Sequence, residues 1–143
     1  GTSDPLWLFF FDEANAMLEQ QRYEAAVVAA QVACEIEIRA AVEQAANAPK
    51  GSLARMAIDT PTSYSLRDKR ALAVFTTVLG VSPTSQPFWA TYLDHVARRN
   101  NVLHSGARVI RDDAIASVTA AEDLVDWVQK MRRGSSPHRN LGG

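Results

Sequence analysis

The chain has 143 residues, of which 47% are hydrophobic and 22% charged, and 15 basic residues against 16 acidic ones leave a net charge of −1. That size supports a single hydrophobic core. The charge balance excludes a global attraction to nucleic acid, so any RNA or DNA contact has to come from a local cluster. Cys34, the lone cysteine, excludes an intramolecular disulfide and a cysteine-rich metal site, which fits a reducing, cytoplasmic setting.

In chain order, the sequence predicts helices throughout. The first runs from about Asp4 to Gln20, with Asp4 as its cap and Pro5 at its first position. Leu6, Phe9, Phe10, Ala14, Met17 and Leu18 recur at three- and four-residue steps and are expected in the core. The apolar run from Leu6 to Phe11 is six residues long, too short for a bilayer. Asp4 and Asp12 flank it where a secretory leader would carry basic residues, so neither a leader nor a membrane partner is expected.

The clearest helix is alanine-rich and extends from Arg22 to about Ala46. Tyr23, Val27, Ala30, Cys34, Ile38, Ala41 and Val42 form its stripe, whose small residues would let a neighbour approach closely. Residues 47–51, "NAPKG", stop it, and residues 52–65 read as a loop with one helical turn. Ser65 or Asp68 opens a helix that ends at Gly80. "VSPTSQP" is a connector. Pro87 then opens the helix "FWATYLDHVARRNNVLH", which Gly106 terminates. Asp112 or Asp113 caps a last helix to about Arg132, with Ile115, Val118, Ala121, Leu124, Val125 and Val128 inward. The expected fold is an all-α antiparallel bundle of about five helices, one domain over residues 1–132, with residues 133–143 as a flexible tail.

The stretch "RRNNVLHSG", residues 98–106, holds more polar donors than a helix end requires. Trp89, Tyr92 or Leu93, Val96 and Leu103 mark the buried side of its helix. Asp94 precedes Arg98 by four residues, the favoured order for an exposed pair, which accounts for Arg98. Arg99 has no such account, because it lies on or beside the apolar face. Asn100 and His104 are four apart and share a side; on their own they also read as capping or hydrogen-bonded core groups. An undistorted helix turns Arg99 and His104 roughly 140° apart, so they converge only if the helix end distorts or a second subunit completes the site.

Arg99, four intervening residues and His104, with Asn100 directly after the arginine, resemble the R-x(4–6)-H motif of the HEPN superfamily. Counting from Arg98 also gives a permitted gap, but Asn100 then falls out of place. "RYEAAVVAAQVACEIEIRAAVE", residues 22–43, resembles the early helix of that family, which carries an acidic residue in its second half. Glu35 aligns with that residue, with Glu37 as the alternative; Glu35 also reads as a surface partner of Arg39. The resemblance spans roughly residues 5–130 as a helical order with one moderately specific motif.

The resemblance implies a metal-independent endoribonuclease without cofactors, acting as a homodimer on RNA such as tRNA or mRNA. A toxin or phage-defence effector is the expected role, with an antitoxin or a fused sensor domain as further partner. Arg99, Asn100 and His104 would be catalytic, and Glu35 and Arg98 supporting. A histidine near its ordinary pKa suits removal of the ribose 2′-hydroxyl proton. An arginine suits the charge that builds on the phosphoryl oxygens. Arg108 and Arg111 complete a local basic cluster that would bind RNA, tempered by Asp112 and Asp113. Lys130, Arg132, Arg133 and Arg139 read mainly as solvated cations of the last helix and tail. The alternatives are a non-catalytic HEPN-like module that binds RNA, nucleotide or protein, and a helical dimerisation domain. His95, His104 and His138 make no metal spacing, and neither a nucleophile elbow nor a Gly-rich phosphate loop occurs.

Overall fold

The computed structural model describes residues 4–47 and 64–134. Of the loop expected over residues 52–65 and the tail expected over residues 133–143, only residues 64–65 and 133–134 are described, the latter two as the end of the last helix. Within them the chain forms α1 (Leu6–Glu19), α2 (Tyr23–Ala46), α3 (Lys69–Leu79), a 3-10 turn (Pro83–Ser85), α4 (Trp89–Ser105) and α5 (Arg111–Gly134). No strand occurs among the described residues. The fold is an all-α helical bundle.

Helix α2 is its axis. Ala26, Ala30, Ala33, Ala41 and Cys34 are buried along it, so the other helices pack close to its backbone. The Cys34 thiol donates to the Ala121 carbonyl at 3.6 Å, which marks how near α5 comes. Helices α1, α3, α4 and α5 all contact α2. The turn from α1 to α2 takes only Gln20–Arg22, with Gln21 in the left-handed region at φ 61°. Arg22 N–H donates to the Met17 carbonyl at 2.8 Å, and this tight reversal sets α1 and α2 antiparallel.

In α1 the inward positions match those expected except at Leu6 and Phe9. Phe11 and Ala14 are buried, whereas Leu6 is 58% and Phe9 53% exposed. Phe10, Ala14, Met17 and Leu18 pack on the core as expected, joined by Trp7 and Phe11; residues 6–11 are apolar at every step, so period alone does not choose a face there. Pro5 occupies the cap position itself, and no side chain caps α1. Asp68 does cap α3, accepting from Ala71 N–H at 2.9 Å, and Gly80 ends that helix at φ 74°.

Helix α5 begins at Arg111, so Asp112 and Asp113 sit in its first turn rather than at its cap. There they complement the positive end of the helix dipole. Val118, Ala121, Leu124, Val125 and Val128 are buried as the pattern requires, while Ile115 is 38% exposed. Trp127 packs against Phe75 and Phe88, and Trp89 stacks on Tyr92, which accounts for two of the three tryptophans as packing groups. Among the described residues, no helix is long and apolar enough to cross a membrane.

Candidate functional site at the C-terminal half of helix α4

Helix α4 runs unbroken through Ser105 and closes on Gly106, whose φ of 63° is left-handed. Gly106 N–H donates to Val102 and Ala107 N–H to Asn101, at 3.1 and 3.2 Å. This double closure satisfies the last carbonyls. Because α4 stays helical past His104, Arg99 and His104 do point apart within one protomer, by roughly 140°. The helix end does not distort to join them.

Arg99 turns inward. Its Nη2 donates to Glu35 Oε2 on α2 at 3.1 Å, an ion pair between half-buried side chains. Glu35 is therefore the acidic residue that meets the arginine. Glu37, the other candidate, is buried on the opposite side of α2, where Arg132 Nη1 lies 2.5 Å from Oε1 and Gln129 donates to Oε2. Arg132 also donates to Gln44, so it bonds α5 to α2 and is not the solvated cation expected from the sequence.

Arg98 departs from expectation as well. It leaves Asp94 aside and reaches α5, donating to Ser117 Oγ at 2.5 Å and standing 3.9 Å from Asp113. Its side chain, 23% exposed, fixes α4 against α5. Arg99, not Arg98, is thus the arginine that faces the acidic helix.

Two clefts flank Arg99. One, of about 390 Å³, is walled by Val32, Ile36, Leu103 and Tyr64, with Glu35 and Arg39 at its edge. Arg39 sits over the Tyr64 ring, 5.7 Å from its centroid. The other, of about 310 Å³, is polar and includes Ser65, Arg67, Asp68 and Asn100. Arg99 lines both, and its Nε atom has no hydrogen-bond partner among the described residues. Asn100 is half-buried and His104 exposed. Arg108 is 91% exposed and stands 3.7 Å from Glu24, whose other oxygen accepts from Val109 N–H. Arg111, at the first position of α5, is exposed. The sequence cluster therefore separates in space: Arg99 and Asn100 open onto the clefts, and Arg98 braces α5. His104, Arg108 and Arg111 face solvent.

Sequence reasoning missed the groups behind Arg99. His95 is fully buried, and its Nε2 lies 3.0 Å from Gln31 Oε1. Gln31 Nε2 donates to Glu35 Oε2 at 3.0 Å. Burial, reinforced by the Arg98 and Arg99 charges, pushes the His95 pKa down to about 3, so its ring is neutral at physiological pH. Tyr92 is buried too, its hydroxyl accepting from Leu66 N–H at 3.2 Å, and burial raises its pKa. One signal was present: Gln31 and Glu35 are four apart on α2, as His95 and Arg99 are on α4.

Leu103 was expected inside and is 53% exposed. It lines the cleft beside Arg99, which shares Val28 and Val32 with an apolar groove of about 480 Å³ between α1, α2 and α4, lined also by Phe9, Phe10, Met17 and Val102. No group of three or more His, Cys, Asp or Glu among the described residues could hold a metal ion. In comparisons with family models, curated proteins and solved structures, nothing matches this chain.

Proposed function

We propose that the chain is a metal-independent endoribonuclease of HEPN type, active as a homodimer. The Arg99–Glu35 pair carries this reading: a guanidinium held across two helices beside two clefts, five residues before an exposed histidine. The apolar strip of exposed Phe9 and Leu103 and half-buried Val28, Val32 and Val102 supports pairing, because it adjoins the same helix end. Pairing would bring His104 of one copy toward Arg99 of the other.

In that arrangement His104 accepts the proton of a ribose 2′-hydroxyl. The 2′-oxygen bonds to the adjacent phosphorus, and Arg99 stabilises charge on the non-bridging oxygens. The bond from phosphorus to the 5′-oxygen breaks, and the leaving oxygen takes up a proton. The products are a 2′,3′-cyclic phosphate and a 5′-hydroxyl, and DNA, lacking the nucleophile, is not cut. Asn100 orients the histidine or a phosphate oxygen from the polar cleft.

Incubation of total cellular RNA with the protein in EDTA is the direct test. Cleavage with cyclic-phosphate ends, abolished by both His104→Ala and Arg99→Ala, is the expected result. Absence of cleavage by the wild type overturns it. Growth arrest on expression, relieved by the same substitutions, would carry the reading on to a toxin or defence effector.

A second reading, a non-catalytic module for RNA or a protein partner, is favoured by one observation. Glu35 already neutralises Arg99 in the single protomer. Unchanged RNA retention in Arg99→Ala and His104→Ala, with no cleavage by any variant, would select it.

A further inference from the structure

Behind Arg99 the two helices form a four-membered polar ladder. Helix α2 contributes Gln31 and Glu35, α4 contributes His95 and Arg99, and each pair is one turn apart. Three hydrogen bonds join them: His95 Nε2 to Gln31 Oε1 at 3.0 Å, Gln31 Nε2 to Glu35 Oε2 at 3.0 Å, and Arg99 Nη2 to the same Glu35 oxygen at 3.1 Å. Gln31 and His95 are 1% and 0% exposed, so water does not substitute for these partners.

The direction of each bond follows from what the groups can do. An ionised carboxylate only accepts, so the Gln31 amide must turn its nitrogen toward Glu35. Its carbonyl then faces His95, and a carbonyl only accepts, so His95 Nε2 must carry the hydrogen. The Nδ1 atom is left unprotonated, buried and without a hydrogen-bond partner among the described residues. The ladder converges on Glu35 Oε2, which accepts from Gln31 on the core side and from Arg99 on the cleft side.

We propose that Gln31 is a positioning residue, which pins one oxygen of Glu35 and thereby aims the Arg99 guanidinium at the cleft, while His95 fixes the direction of the Gln31 amide. Glu35 and Arg99 are half-buried and joined through long side chains by a single contact, about which a carboxylate and a guanidinium can each turn. A buried amide on one carboxylate oxygen removes the carboxylate's freedom to turn. Arg99 Nη2 then has one seat, and the remaining guanidinium donors keep one bearing. Catalytic groups need such support, since a displacement of about 1 Å can cost on the order of a hundredfold in rate. The role of Gln31 in turnover rests on the ribonuclease reading; the aiming of Arg99 does not.

The experiment therefore reads both separately. In protein labelled with 15N-arginine, the Arg99 side-chain signals, assigned with Arg99→Lys, report whether the guanidinium rotates. Wild type is expected to show resolved Nη protons that exchange slowly with solvent. Gln31→Met, near in volume but without polar atoms, is expected to merge them while the helical circular dichroism stays unchanged. His95→Gln, which can return an N–H donor to the Gln31 carbonyl, is expected to retain them. On fluorophore-labelled single-stranded RNA of mixed sequence, Gln31→Met should lower kcat roughly tenfold to a hundredfold, with KM within about twofold.

Unchanged Arg99 signals in folded Gln31→Met overturn the proposal, even if the wild type cuts RNA. Merged signals with no wild-type cleavage sustain the aiming of Arg99 and sink the ribonuclease reading. If Gln31→Met does not fold, His95→Phe decides, because it keeps a ring but removes the donor. Unchanged Arg99 signals in that variant likewise overturn the proposal.

Discussion

His95 shows how one buried side chain couples the candidate site to the stability of the fold. In the unfolded chain an imidazole takes its proton near pH 6.5, and here burial holds the folded value to about 3. Between those values the unfolded chain binds a proton that the folded chain refuses. Stability therefore rises with pH across that window, and is fully present above the unfolded value. Lowering the pH from 7 to 5 should remove about 2 kcal/mol through this residue alone. Urea unfolding at the two pH values measures the loss, and His95→Gln, which cannot titrate, should remove it from the difference. An equal acid loss in His95→Gln would show that carboxylates carry it instead. Gln31 answers to the same geometry: an apolar replacement leaves the His95 donor and one Glu35 oxygen without their shared partner.

At the scale of helices, the link between α2 and α5 depends on a carboxylate that water does not reach. Glu37 is 1% exposed and takes its hydrogen bonds from Arg132 and Gln129. Arg132→Ala leaves that charge with Gln129 alone, and a loss of about 3 kcal/mol in chemical denaturation is expected. Glu37→Leu together with Arg132→Met should recover most of it, because the desolvation cost disappears with the charges. At the end of α4, Gly106→Ala should cost about 1 kcal/mol, a purely backbone effect, since an added Cβ meets nothing within 4 Å while φ is 63°. These elements were largely legible beforehand: alanine spacing drew α2, Gly80 and Gly106 marked two ends, and α5 showed its buried stripe. Helix α1 was legible as a helix and, from Phe10 onward, in its facing; Leu6 and Phe9 were misread because six successive apolar residues carry no period. The candidate site was legible only where a motif spells it. Arg99, Asn100, His104 and Glu35 could be named, but Gln31 and His95 could not, since their meaning lies in two helices crossing at matched turns. Arg98 was misassigned for the same reason, as a local pair with Asp94 gave no hint of Ser117 on a helix yet to come.

For the whole molecule, the decisive quantity is how many copies make one site. A continuous α4 keeps Arg99 and His104 apart in a protomer, so a composite site requires a partner. Leu103, 53% exposed beside the apolar groove, belongs to the surface such pairing would bury. Leu103→Asp should leave the monomer stable to within about 0.5 kcal/mol, as exposed positions usually do. The same change should weaken dimerisation by tenfold or more in sedimentation equilibrium, and cleavage should fall with it at low protein concentration. Mixing two inactive variants reads the shared site directly. An Arg99→Ala chain still carries His104, and a His104→Ala chain still carries Arg99. In a two-fold dimer of the two, one site receives both intact groups and the other receives neither. Random exchange makes half of the dimers mixed, each with one of two sites restored, so about a quarter of wild-type cleavage should return. A mixture that stays inactive while mass spectrometry records mixed dimers would show that the two groups do not meet across subunits. The ribonuclease mechanism would fall with that result, because an unbroken α4 offers Arg99 and His104 no other way to reach a common phosphate.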